Sequence, residues 1–156
     1  LLIRGFAARS MPELDVQSNI TPSFNNMALG LLYRLNKHDA VGFEIGQENI
    51  MQKYSGYSHN KQAHVFIEQN YLVFWYGLTY QHVFEDETGV EPFVRAFAGG
   101  TKIGPMGRGI LGLKYSYQDR FGMFAGLEGT LLGYKFDGTW FGTGKFGFTY
   151  GMEVKF

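Results

Sequence analysis

The sequence predicts an all-β fold, an eight-stranded antiparallel up-and-down β-barrel that forms a single domain over residues 1–156. The first observation behind this prediction is the segment 146–156, where large apolar side chains alternate without a break with glycine, threonine and charged residues. A period of two indicates a β-strand with unlike surroundings on its two faces. The same alternation recurs between turn-forming segments, and short and long connectors follow one another along the chain.

Eight strands are predicted, and the first alternates less regularly than the others. The second places Leu29 and Leu31 on one face and Gly30 on the other. The connector after it, Asn-Lys-His-Asp at 36–39, is rich in turn formers, so the second and third strands form a hairpin. The predicted strands are 2–9, 24–35, 40–48, 71–81, 92–99, 109–117, 123–131 and 146–156.

The third and fourth strands have two distinct faces. In the third strand Phe43 lies on the apolar face and Glu44 on the polar one. In the fourth strand Phe74 and Tyr76 belong to the large apolar face, which we expect to point outward. Trp75 is the exception, because this large ring falls among the small and polar residues of the inward face.

The last four strands each carry charge on one face. In the fifth strand Arg95 shares its side with Phe97, so that face mixes charge and aromatic rings. In the remaining strands the face of small and polar residues carries Lys114, Glu128 and Glu153, one in each strand. All four predicted strands therefore set a charged face against an apolar one.

Connector lengths add a further signal. An alternation of short and long connectors is typical of a membrane barrel with tight turns on one side and larger loops on the other. An even number of strands then places both termini on the side of the short turns. The short or compact connectors are 36–39, 83–91 and 118–122, the long ones are 10–23, 49–66 and 132–144, and 100–108 is intermediate.

The volume of the barrel decides which face points outward. An eight-stranded barrel has an interior just wide enough for side chains to fill it, so the many Phe, Tyr, Leu and Met residues cannot all point inward. Transmembrane helices are excluded, because a spanning helix needs roughly 20 predominantly apolar residues, and the apolar stretch 69–81, which has neither charge nor histidine, has only 13. A tilted membrane strand needs only about 9–11 residues. We therefore expect the large apolar face to meet lipid.

The opposite face carries about one charge per strand. An unpaired charge in a narrow interior is costly, so three cations and three anions should form a paired structural network that fills the lumen. A turn centred on Asp39 would place Arg34 opposite Glu44, and the same reasoning for the sixth and seventh strands places Lys114 opposite Glu128. The predicted network is Arg34, Glu44, Arg95, Lys114, Glu128 and Glu153.

Across essentially its whole length the chain resembles the eight-stranded outer-membrane barrels of the OmpA and OmpX type. The terminal Phe156, with Val154, Met152 and Tyr150 at two-residue spacing, looks like the C-terminal signal that the barrel assembly machinery recognises. The resemblance implies an integral protein of a Gram-negative-type bacterial outer membrane, surrounded by its lipid and lipopolysaccharide and inserted by that machinery. It also implies a role in anchoring, adhesion or surface protection.

Composition excludes several function classes. Lys plus Arg and Asp plus Glu number 14 each, so there is no strongly basic surface and we expect no nucleic-acid partner. The chain has no cysteine, which excludes disulfides, thiolate nucleophiles and cysteine-ligated metals. The four histidines lack a recognisable ligand spacing, so neither a metal nor a cofactor is expected. Residues 1–10 lack the features of a signal peptide, and we expect a mature chain or an excised domain.

An enzyme remains an alternative. The connector 49–66 holds His59, His64 and Ser58, so a Ser/His/acid hydrolase or a transferase of lipid acyl chains is conceivable. In an extended segment Ser58 and His59 would point to opposite sides, which argues against this reading. A narrow channel is a second alternative, although a filled lumen argues against an open pore.

The predicted function is therefore membrane anchoring or surface interaction, without catalysis. Loops on a rigid scaffold usually carry binding residues. We expect any extracellular ligand to bind the long connector 49–66, with Tyr54, Tyr57 and His59 as the residues that contact it.

Overall fold

In a computed structural model the chain closes into a barrel in which each strand pairs antiparallel with its sequence neighbours and the last strand pairs with the first. The structure describes residues 1–10, 26–58, 63–84, 89–117, 120–136 and 139–155. These residues include no helix long and apolar enough to cross a membrane. The predicted eight-stranded antiparallel barrel is confirmed. Its strands are β1 Leu2–Ser10, β2 Met27–Arg34, β3 Asp39–Ser58, β4 Ala63–Val83, β5 Val90–Thr101, β6 Pro105–Tyr117, β7 Phe121–Phe136 and β8 Thr139–Val154.

The barrel has two distinct ends. The β2–β3 turn at 35–38 lies at one end, together with the start of β1, the end of β4, the start of β5, the end of β6, the start of β7 and the end of β8. We call this the turn end. The opposite end, where β3 passes into β4 and β7 into β8, is the far end.

The strands that reach the far end are longer than predicted. β3 continues to Ser58 and β4 begins at Ala63, so the expectation of a long loop over 49–66 is wrong. The expected loop over 132–144 is also mostly strand, because β7 and β8 pair as far as Phe136 and Thr139. The sequence around 49–55 is rich in polar residues, so the hydropathy alternation stops there. The backbone hydrogen-bond ladder does not require that alternation and continues beyond it.

The large apolar face points outward. Leu31, Leu78 and Leu131 are 67%, 69% and 70% exposed. Trp75 and Phe97 point inward and are buried. The predicted faces of the fourth and fifth strands are confirmed by this alternation of exposed and buried residues.

The turn between β2 and β3 is built by Asn36. Its side-chain Oδ1 accepts hydrogen bonds from the backbone N–H groups of His38 and Asp39, both at 2.8 Å. Its Nδ2 donates to Oδ2 of Asp39 at 2.7 Å. Such side-chain mimicry of a backbone turn is the usual role of asparagine in tight connections. The turn places Arg34 opposite Ala40 and so determines the register of the hairpin.

Inward aromatic rings pack over glycines of neighbouring strands. A Cβ atom added to Gly46 would lie 2.4 Å from Cζ2 of Trp75 and 2.7 Å from the backbone oxygen of Met27. Phe97 likewise covers Gly77 and Gly99. Glycine at these positions gives the rings the space they need inside a narrow barrel. The same contact occurs between Phe93 and Gly112 and between Phe124 and Gly151.

We predict that Gly46→Ala destabilises the barrel by about 1–3 kcal/mol, because the new methyl group must displace the buried Trp75 ring. The measurement is urea-induced unfolding of the refolded protein in detergent micelles. Gly109→Ala is the matched control, since a Cβ at this mid-strand glycine meets no atom within 4 Å. Equal losses in the two variants would contradict the packing argument.

Candidate functional site

The most unusual feature of the interior is its buried charge. Among the described residues, nine charged side chains are buried, five of them cations and four anions. Strand alternation places them inside the barrel, because their neighbours in sequence point outward. They are Arg4, Glu44, Glu48, Arg95, Arg108, Lys114, Glu128, Lys145 and Glu153. We refer to these nine residues as the buried charge chain.

The first half of the buried charge chain begins toward the far end. Nζ of Lys145 lies 2.6 Å from Oε2 of Glu48, whose Oε1 is 2.8 Å from Nη2 of Arg108. Nε of Arg108 lies 3.1 Å from Oε1 of Glu128. The other oxygen of Glu128 accepts a hydrogen bond of 2.5 Å from Nη1 of Arg4. Each carboxylate in this half therefore bridges two cations.

The second half continues from Arg4 to the turn end. Nη2 of Arg4 lies 3.5 Å from Oε2 of Glu44, and Oε1 of Glu44 is 4.0 Å from Nη1 of Arg95. Nη2 of Arg95 donates to Oε1 of Glu153 at 2.8 Å. Lys114 forms a direct ion pair with the other oxygen of Glu153. Cations and anions thus alternate through the interior, with a lysine at each end.

This alternation offsets the cost of removing the charges from water. A buried ion pair is tolerated when its geometry is good and additional hydrogen bonds satisfy the remaining polar atoms. Nε of Arg95 also donates to Oε1 of Gln81 at 2.9 Å, and Nε of Arg108 donates to Oγ1 of Thr130 at 3.0 Å. Removing one member would leave an opposite charge buried, so the chain is expected to behave as a unit.

Two apolar clusters surround the charges. The guanidinium of Arg108 lies 4.2 Å from the centre of the Trp75 ring, and that of Arg95 lies 4.8 Å from the Phe124 ring. Cations over aromatic faces are attracted by the ring quadrupole. The arginines therefore connect the buried charge chain to both clusters. One cluster is Ala28, Ile50, Val73, Trp75, Phe97, Met106 and Leu132, and the other is Leu2, Phe93, Ile110 and Phe124.

Five of the six residues expected in a lumen network belong to the buried charge chain, and the sixth, Arg34, is exposed at the turn end. The expected pairing of Arg34 with Glu44 is wrong, because Glu44 lies opposite Gly30. The β2–β3 turn is centred on residue 37 rather than 39. A shift of two residues in the centre moves every cross-strand partner by four.

The expected pairing of Lys114 with Glu128 is wrong for the same reason. Lys114 lies opposite Phe124, and the β6–β7 turn is centred on residue 119 rather than 121. The partner of Lys114 is instead Glu153, two strands away in β8.

Sequence reasoning missed four members of the buried charge chain. Arg4 lies in the poorly alternating first strand, Arg108 lies in the predicted connector 100–108, and Lys145 lies immediately before the predicted start of the eighth strand. Glu48 was at the end of its predicted strand. One signal could have identified three of them, because Glu48, Arg108 and Lys145 keep the two-residue period of Glu44, Lys114 and Glu153 in their respective strands.

Two of the three residues expected in a binding loop lie in strands. Tyr54 lies in β3 opposite Ile67, and Tyr57 lies opposite His64 of β4. The expectation that these tyrosines belong to a surface loop is therefore wrong. His59 and Phe156 lie outside the described residues, so the proposed roles of these two residues remain predictions.

A second polar cluster lies at the turn end, on the outer side of the wall. Oδ1 of Asp39 accepts a hydrogen bond of 2.5 Å from the Tyr80 hydroxyl and lies 2.7 Å from Nδ1 of His82. Hydrogen bonds from His82, Tyr80 and Asn36 hold the pKa of the Asp39 carboxyl well below its ordinary value of 3.8. Within the described part of the chain, no group of three or more His, Asp or Glu residues is arranged to hold a metal ion.

These features define a class: a closed eight-stranded antiparallel β-barrel with paired charges inside and large apolar side chains exposed outside. Comparisons of the chain with models of protein families, with curated proteins and with solved structures give no match. The chain's own geometry must therefore supply the basis for a functional assignment.

We predict that Glu153→Gln destabilises the barrel by about 3–5 kcal/mol, because it leaves the buried Lys114 without its described carboxylate partner and Arg95 with only the 4.0 Å contact to Glu44. Lys114→Met should cost less, since Glu153 then still contacts Arg95. The double variant should lose less stability than the sum of the single losses, which a double-mutant cycle of urea unfolding measures.

The matched control for this cycle combines Lys114→Met with Glu128→Gln. These two residues are not cross-strand partners, and their ion pairs are with different residues. Their losses should therefore be closer to additive. Additive losses for Lys114 and Glu153 would show that the pair is not coupled.

Proposed function

We propose that the chain is an integral outer-membrane β-barrel of the OmpA and OmpX type, which serves as a membrane anchor or surface-interaction protein and keeps its lumen closed to ions. The observation that carries the proposal is the inverted polarity of the barrel. Charges are buried inside, and among the described residues leucine, phenylalanine or tyrosine side chains of β2, β3, β4, β6, β7 and β8 are exposed outside. A barrel in water would gain stability from the opposite arrangement.

The distribution of exterior aromatic residues supports a bilayer as the surrounding medium. Tyr33 and Tyr117 are exposed at the turn end, and Trp140 is exposed toward the far end. Between these ends the outward residues of the wall include Leu31 and Leu111. Membrane barrels carry such an apolar band between two aromatic girdles at the lipid–water interfaces. Outer-membrane lipid and lipopolysaccharide are accordingly the proposed immediate partners.

The interior supports a lumen that does not conduct. The buried charge chain is paired throughout, and Trp75 and Phe93 are fully buried among the apolar clusters beside it. An ion would have to break these pairs and enter an interior lined by large side chains. We therefore favour an anchor over a narrow channel.

The far end supports a role in surface interaction. Within the described residues β2 pairs with β3 as far as Met27 opposite Gln47, and β5 pairs with β4 as far as Thr101 opposite Trp75. The β3–β4 pair continues beyond both, from Glu48 to Ser58 on β3. A hairpin that extends past its neighbours would offer a ligand-binding surface outside the bilayer, and we propose it as the contact site for an extracellular partner.

The last strand supports insertion by the barrel assembly machinery. Tyr150 and Met152 of β8 are exposed on the outer face at two-residue spacing, as the C-terminal signal requires. Phe156 would complete this signal. The proposed partner is the machinery that inserts such barrels into the outer membrane.

We predict that Leu111→Arg costs about 2–4 kcal/mol in lipid, because this outward residue is 64% exposed and lies midway along β6, at the proposed centre of the bilayer. Tyr117→Arg, at the turn end of the same strand, should cost about 0–1 kcal/mol. Urea unfolding in phospholipid vesicles measures both values. If the two variants lose the same small amount, the outer wall does not face hydrocarbon.

We also predict that the purified barrel gives no conductance above leak in planar lipid bilayers, because its interior charges are paired. A control for insertion is protection of the strands from protease in the same lipid. Stable conductance well above leak would instead favour the narrow channel.

A further inference from the structure

Two exposed methionines lie side by side on the outer wall. Met123 of β7 is directly opposite Met152 of β8, and their side chains are 57% and 41% exposed. Directly opposed residues of an antiparallel pair share one face and have Cβ atoms only about 4.5–5.5 Å apart. The two thioether side chains are therefore neighbours on the surface, and we refer to them as the methionine pair.

The methionine pair lies in the middle of a row of outward side chains near the turn end. Met123 is the third residue of β7, and Met152 is the third residue from the end of β8. The strand register continues the row across five strands, and the structure shows every member of it exposed. From β1 through β8, β7 and β6 to β5 the row is Ile3, Met152, Met123, Tyr115 and Val90.

The side chains of the methionine pair are accessible to an oxidant, whereas Met106 is only 3% exposed in the apolar cluster around Trp75. A groove of about 490 Å³ in the outer wall is lined by both Met123 and Met152, which gives a reagent room to approach them. A hydroperoxide oxidises a thioether by transferring one oxygen atom. The O–O bond breaks, an S=O bond forms, and the hydroperoxide leaves as an alcohol. The sulfur loses the two electrons that the peroxide gains.

We propose that Met123 and Met152 form a reversible oxidation site for hydroperoxides, and that their conversion to sulfoxides weakens the barrel in lipid. A sulfoxide is polar, whereas a thioether is apolar. A polar group that faces hydrocarbon without a hydrogen-bond partner is unfavourable. Oxidation therefore interrupts the apolar outer wall near the turn end. The effect in lipid rests on the proposed membrane location, but the oxidation itself does not.

Reversal of the oxidation requires a separate reductant, because the chain has no cysteine. Two thiols supply two electrons and two protons, and the products are the thioether, a disulfide and water. Methionine sulfoxide reductases carry out this reduction, one enzyme for each sulfoxide epimer. The partner implied for the oxidised barrel is an enzyme of this class.

The first test is oxidation of the refolded protein by tert-butyl hydroperoxide in non-ionic detergent micelles, followed by mass spectrometry of its peptides. Met123 and Met152 should form sulfoxides about tenfold or more faster than Met106, because susceptibility follows exposure. Equal rates at the three residues, or a member of the pair that stays reduced, would overturn the proposal. This measurement does not depend on a bilayer.

The second test is urea unfolding in phospholipid vesicles before and after the same treatment. Oxidation should raise the unfolding equilibrium constant of the wild-type barrel about tenfold. The double variant Met123→Leu with Met152→Leu nearly conserves side-chain volume and should not respond. Met27→Leu is the matched control, because Met27 is 50% exposed at the far-end start of β2, and this variant should respond as the wild type does.

The proposal is overturned if the treated double variant loses as much stability as the wild type, or if the oxidised wild type is as stable in vesicles as before. Sulfoxide reductase with dithiothreitol should restore the original stability, and a permanent loss would contradict a reversible site. Leu111→Arg in the same vesicles separates the two proposals. If that variant is destabilised and the oxidised barrel is not, the oxidation proposal fails and the membrane proposal stands.

Discussion

Pairing between buried charges of opposite sign holds the strands of this barrel in register. The pairs join strands that are not neighbours: Arg4 of β1 contacts Glu128 of β7, and Arg108 of β6 contacts Glu48 of β3. A slip of one residue in any strand would turn its charged residue to the outer wall and leave its partner buried alone. Backbone hydrogen bonds close the barrel between neighbours, and the cross-barrel ion pairs, together with the apolar clusters, relate distant strands to one another.

The same arrangement explains why the interior combines glycine, aromatic rings and arginine. A narrow barrel leaves limited volume inside, so the Trp75 ring needs the absence of a side chain at Gly46. The ring in turn provides a face for the guanidinium of Arg108. The same set of contacts therefore fills the narrow interior and compensates its buried charges. The interior has no room for the other large apolar side chains, and these lie on the outer wall.

The two ends of the barrel offer different surfaces. At the far end the β3–β4 pairing continues past the described ends of β2 and β5. At the turn end a cavity of about 530 Å³ opens beside Arg34 and Asp39. In the proposed orientation these ends lie on opposite sides of the outer membrane.

The sequence by itself determined the strand number, the polarity of the two faces and most of the inward charges, because a two-residue period is a local property of each strand. Only the tertiary structure decided which of these charged residues form ion pairs with one another. The β2–β3 and β6–β7 pairings are centred two residues earlier than predicted. Arg34 therefore lies outside the interior, and Lys114 pairs with Glu153 instead of Glu128. The positions of the turns and the closure of the barrel depend on how all eight strands fit together. The hydropathy pattern of a single strand does not determine either of them.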